Sequence, residues 1–185
     1  MIDLSLNEVE TLAARAARGA GLAWGLADDI GRAARRLAEA GLDWTAPILR
    51  LVAAPVAGAE LAAVGAEFAD RPDLLGTMRV AEPALVAALA AGSGEARRFA
   101  WTGGAVAVGG GRIVSAEGEG LSGPGPAEIH VTADPAGPPA QTALGRALAE
   151  PAALAVLGAV IARLYVPASE RSRASGAGAA IDDND

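Results

Sequence analysis

The 185-residue sequence contains no cysteine. That excludes a thiol nucleophile, a disulfide framework and any Cys-ligated zinc or iron–sulfur centre. Lysine is absent too, so all 15 basic residues are arginine. There is no Schiff-base lysine, lysine general base or Walker-type phosphate lysine. A single histidine, His130, is the only side chain that titrates near neutrality when unperturbed. Aromatics make up 3% of the chain: Trp24, Trp44, Trp101, Phe68, Phe99 and Tyr165. The longest uninterrupted apolar run, Ala152 to Ala162, falls well short of the roughly 20 residues that span a bilayer. Asp3, Glu8 and Glu10 stand where a secretory leader would carry basic and then apolar residues. A formal charge of −7 repels a phosphate backbone. These absences together predict a soluble cytoplasmic protein with no nucleic-acid or membrane partner, no metal and no cofactor.

Alanine supplies 48 residues, about half of the apolar fraction, which predicts closely packed helices with little area buried per residue. Ser5-Leu6-Asn7-Glu8 is a capping box. The helix it opens carries Leu6, Val9, Leu12, Ala13 and Ala16 at helical spacing and ends at Gly19 and Gly21. A second helix spans about 24–40. Its apolar stripe is Leu26, Ile30, Ala33 or Ala34, and Leu37; Asp28, Asp29, Arg32, Arg35, Arg36 and Glu39 form the wet face. Asp28–Arg32 and Arg35–Glu39 are the expected i,i+4 pairs. Asp43, Thr45 and Pro47 start a third helix, which Pro55 breaks. A fourth spans about 58–69, residues 74–80 can be extended, and Pro83 opens a short helix to about Ala91.

Helical spacing then gives way to β-type patterns. Short strands are expected at 99–102, 105–108, 112–116 and 128–133, with Gly109-Gly110-Gly111 as a hairpin turn. Loops rich in Gly and Pro follow at 118–126 and 135–139, and then helices at about 141–149 and 151–165. The order predicts an α+β fold: N-terminal helices, a small antiparallel sheet confined to about 97–133, and C-terminal helices. The expected organisation is one α+β domain over 1–167 and an acidic tail rich in Gly, Ala and Ser over 168–185.

Few motifs carry chemistry. Gly118-Glu119-Gly120-Leu121-Ser122-Gly123 matches the dinucleotide fingerprint in letters, but Pro124 and Pro126 deny the helix that would receive a pyrophosphate. Gly19 to Gly25 is a helix–helix corner. His130 shares an alternating face with Glu128 and Thr132, an arrangement that serves as an acid–base pair under a substrate pocket and as a solvated sheet face without one. Asp182, Asp183 and Asp185 read as a solvated acidic end rather than a cation site. Arg15, Arg18, Arg32, Arg35 and Arg36 read as a salt-bridged strip. The densest candidate is the C-terminal segment: Tyr165, Ser169, Arg171, Ser172 and Arg173 place guanidiniums and hydroxyls where a carboxylate or phosphate can be held.

Ser5 to Glu10, Ala16 to Gly21 and Trp24 to Ala27 resemble the opening of a bacterial family known only as a domain of unknown function. Tyr165 to Glu170, Ser172-Arg173, Gly176 to Gly178 and Asp183 to Asp185 resemble its ending. The resemblance implies no activity. The chemistry that is missing points to a non-catalytic accessory subunit, or to a small-anion-binding module acting through Tyr165, Ser169, Arg171, Ser172 and Arg173. One alternative is a small enzyme acting on a carboxylate substrate with His130 and Glu128 as its acid–base pair. The other is a structural homo-oligomer. The expected partners are therefore a second copy or a partner enzyme, and a small anionic ligand.

Overall fold

The computed structural model describes residues 1–71, 73–123, 126–134 and 142–165. Strand β1 (Ile2–Ser5) runs into helix α1 (Leu6–Gly19), followed by α2 (Trp24–Glu39), α3 (Thr45–Ala53) and α4 (Pro55–Asp70). Then come β2 (Gly76–Val80), α5 (Pro83–Ala90), β3 (Arg97–Trp101), β4 (Gly104–Gly109), β5 (Arg112–Glu117), β6 (Ala127–Ala133), β7 (Arg146–Ala149) and α6 (Pro151–Ile161). The fold is α+β, with helices packed on antiparallel sheets.

Ser5 caps α1 as its sequence requires. The Glu8 amide donates to Ser5 Oγ at 3.3 Å, and Glu8 Oε2 accepts from the Ser5 amide at 2.7 Å. Prolines open α4, α5 and α6, where a missing N–H costs nothing. Gly110 (φ 59°) and Gly111 (φ 82°) form the β4–β5 turn, whose positive φ values match the twist of a tight hairpin.

The main sheet has the order β2–β6–β3–β4–β5 and is antiparallel throughout. Phe99, Val106, Val108, Ile113, Ile129 and Val131 alternate onto its inner face and are buried. Every residue of α5 is buried, which its uniformly apolar sequence allows. It lies between the sheet and the pair α2 and α4. Phe68 of α4 meets Phe99 of β3 edge-to-face with centroids 5.4 Å apart. Small residues let the helices approach. A Cβ on Gly31 of α2 would lie 2.8 Å from the Glu10 carbonyl oxygen and 2.9 Å from Ala14 Cβ of α1. Gly19 makes a similar close contact with the Val160 backbone of α6.

The strands are not confined to 97–133. β2 adds an edge to the main sheet, and β1 pairs with β7 in a second sheet, with Asp3 opposite Leu148. The helix expected over 141–149 is corrected: Arg146–Ala149 is strand β7. Ala and Leu there favour a helix locally, but β1 presents an unpaired edge that satisfies the β7 backbone instead. The last α-helix stops at Ile161 and tightens into a 3₁₀ turn over Ala162–Leu164. The loop at 118–123 holds a 3₁₀ turn, and the next element among the described residues is strand β6 rather than a helix. The ion pairs of α2 also differ from simple i,i+4 spacing. Arg32 pairs with Asp29, Arg18 reaches Asp28 from α1, and Arg35 bonds Glu10 and Asn7.

Candidate functional site

His130 stands on the outer face of the main sheet, between Thr77 of β2 and Ala100 of β3. Its Nδ1 shares a 2.8 Å hydrogen bond with Thr77 Oγ1, and its Nε2 lies 3.8 Å from Glu128 Oε1. Both side chains of the pair are more than half exposed. Strand alternation that points Ile129 and Val131 into the core forces His130 and Glu128 outward, onto an open surface.

Ser169, Arg171, Ser172 and Arg173 lie outside the described residues. Tyr165 is described, and it is exposed where α6 ends. The Arg15 guanidinium carbon sits over its ring, 5.6 Å from the centroid. One turn along α1, the Arg18 guanidinium carbon lies 4.2 Å from the centroid of the Trp24 ring. Arg18 also pairs with Asp28, which fixes the guanidinium that carries the indole. Trp24 is 71% exposed, whereas Trp44 and Trp101 are buried at 1% and 9%. Two exposed aromatic rings are therefore laid against arginines one turn apart on α1, with half-exposed Leu164 preceding Tyr165 in the chain. Helix α6 turns Ala152, Ala155, Val156 and Ala159 to solvent with no polar side chain among them.

Two arginines occupy unusual positions. Arg97 is 1% exposed; its Nη2 donates to the Phe68 carbonyl at 2.7 Å and to Ser93 Oγ at 2.9 Å. Its Nε and Nη1 have no partner among the described residues. Arg36 is half-buried. Its Nε donates to the Gly111 carbonyl at 2.9 Å and its Nη1 to the Ala88 carbonyl at 3.0 Å. Burial pushes both guanidiniums below the usual arginine value, and Arg32 adds like-charge repulsion at Arg36. Helical periodicity puts Arg36 on the wet face of α2. What half-buries it is the packing of α5 and the β4–β5 hairpin, which sequence spacing does not carry.

An α+β protein with an exposed His130–Glu128 pair, an aromatic–arginine surface and a half-buried arginine is the class the geometry defines. The family model described as "Protein of unknown function (DUF3726)" matches residues 4–63. That segment includes Arg15, Arg18, Trp24 and Arg36. The resemblance of the opening is thereby matched; that of residues 165–185 lies beyond the matched segment. No curated protein and no solved structure matches the chain.

Proposed function

We propose that this protein is a non-catalytic accessory subunit that docks on a partner protein through the Trp24–Tyr165 corner. The observation that carries the reading is Trp24. An indole 71% exposed, fixed by a stacked arginine, is a large apolar surface left in water at standing cost. Covering it removes that cost with little loss of side-chain freedom, because Arg18 and Asp28 already restrict the ring. Trp, Tyr and Arg are the residue types that dominate interface energetics. Arg15 forms no ion pair among the described residues, so the corner suits a partner face that is apolar at its centre with carboxylates at its rim. Arg171 and Arg173, a few residues beyond Tyr165 in the sequence, would add cations to the same kind of contact.

The test places a photo-crosslinking amino acid at Gly25, beside Trp24, and at the exposed Glu95 as a control, in the protein's own cells. A discrete protein adduct from position 25, absent from position 95 and lost on Trp24→Ala, supports the reading. Equal adducts from both positions, or none from position 25, defeat it. An adduct with a second copy of the chain selects the homo-oligomer instead.

A further inference from the structure

A cleft of about 430 Å³ opens between α2, α4 and the turn that follows α5, and it is separate from the docking corner. Arg36, Arg32, Asp29, Asp70 and Gly92 line it, with Leu89 among its apolar walls. The Arg36 guanidinium is fixed at its place by two backbone carbonyls, those of Gly111 and Ala88. Carbonyls orient the cation without neutralising it. Of the carboxylates around it, Asp29 pairs with Arg32 at 2.5 Å and Glu10 with Arg35 at 3.2 Å, and neither Glu39 nor Asp70 forms an ion pair with Arg36 among the described residues. The N–H bonds of Arg36 not given to carbonyls are therefore held ready for an oxyanion, in the fork geometry that suits a carboxylate.

Gly92 keeps the approach open. A Cβ at this position would lie 3.6 Å from Arg36 Nη2 and 3.8 Å from Nη1, so any larger side chain would cover the guanidinium. Asp70, at the C-terminal end of α4, also lines the cleft; it is exposed and in no ion pair among the described residues. The cleft thus presents one fixed cation and one free carboxylate among apolar walls. Asp70 opposes a ligand with two negative charges, whereas a ligand with an ammonium group answers it.

We propose that this cleft binds a small zwitterion of the amino-acid type, its carboxylate on Arg36 and its ammonium toward Asp70. The assignment rests on different residues from the docking corner, so either can fail alone.

The test is NMR titration of the full chain, following the Arg36 Nε–H signal, with 4-aminobutyrate, butyrate and butylamine as probes. The expected result is saturable binding of 4-aminobutyrate about tenfold tighter than either single-charge analogue. Asp70→Asn should bring 4-aminobutyrate down to the level of butyrate. Gly92→Val, which leaves Arg36 and its carbonyl anchors in place, should abolish binding of the carboxylates. Absence of binding up to on the order of 10 mM overturns the proposal, as do equal affinities for 4-aminobutyrate and butyrate, or binding that survives Gly92→Val.

Discussion

Gly31 and Gly158 both sit within helices, yet Gly→Ala at the two positions should change stability in opposite directions. An added methyl improves helix propensity by roughly 0.8–1 kcal/mol at an interior position, whichever helix carries it. At Gly158 of α6 nothing lies within 4 Å of the new Cβ, so that gain stands alone. At Gly31 the Cβ would sit 2.8 Å from the Glu10 carbonyl oxygen and 2.9 Å from Ala14 Cβ, both rigidly placed on α1. Separating two packed helices to relieve such contacts costs about 1–3 kcal/mol, and α1 and α2 share the most extensive helix–helix contact in the fold. At the middle of its range the clash exceeds the propensity gain, and Gly31→Ala should lose about 1 kcal/mol net, with about 2 kcal/mol as the upper end. Urea denaturation followed by circular dichroism reads both variants. For a chain of this size the thermal midpoints should move by roughly 2–4 °C per kcal/mol, upward for Gly158→Ala and downward for Gly31→Ala. Stabilisation by both substitutions would refute the claim that glycine is present at position 31 to bring α1 and α2 together.

Other expectations follow from single contacts. Glu82→Gln removes the fork in which Arg50 Nε and Nη2 meet the Glu82 carboxylate at 2.5 and 2.8 Å, and should destabilise by about 1.5–3 kcal/mol in the same urea assay. That interaction ties α3 to the start of α5 and, by hydrogen bonding, holds the Arg50 guanidinium above its usual value. The Ser5 hydrogen bonds hold the Glu8 carboxyl below the usual carboxylate range. Because the folded value lies below the unfolded one, the capping box stabilises fully above the unfolded carboxylate pKa and is lost as pH falls through the lowered folded value. A carbon-detected NMR titration should show the Glu8 carboxyl titrating at lower pH than in Ser5→Ala. Trp24→Phe should remove the red-shifted, acrylamide-accessible part of the fluorescence and leave the blue, protected emission of Trp44 and Trp101.

Local rules carried the helical half of the fold. The capping box at Ser5, the prolines at 83 and 151 and the glycine hairpin at 109–111 each state their own geometry, because every partner lies within a few residues; Pro55, which reads as a break before a helix at about 58, is instead the first residue of α4. The ends of the chain were less legible. Ile2–Ser5 becomes a strand only because Arg146–Ala149 lies beside it, and a contact spanning the whole chain leaves no spacing to read. The same distance effect hid the candidate cleft. Arg36 has the same phase on α2 as its solvated neighbours, and the carbonyls of Ala88 and Gly111 that hold it come from α5 and the β4–β5 turn. Trp24 was visible as an aromatic at the start of a helix, but its exposure depends on how α1 and α2 meet. Strand alternation alone puts His130 on the same face as Glu128, and this much is legible in the sequence.

If a partner covers the Trp24 corner in the cell, as we propose, the protein travels there in a larger assembly. The most direct measurement is the native mass of the protein in gently prepared extract of its own cells, compared with a Trp24→Ala, Arg15→Ala variant that is equally stable in urea. The wild-type chain should elute in an assembly larger than its monomer, and the variant should elute as the monomer. A wild-type chain that already elutes as the monomer, or a variant that stays in the assembly, would contradict it.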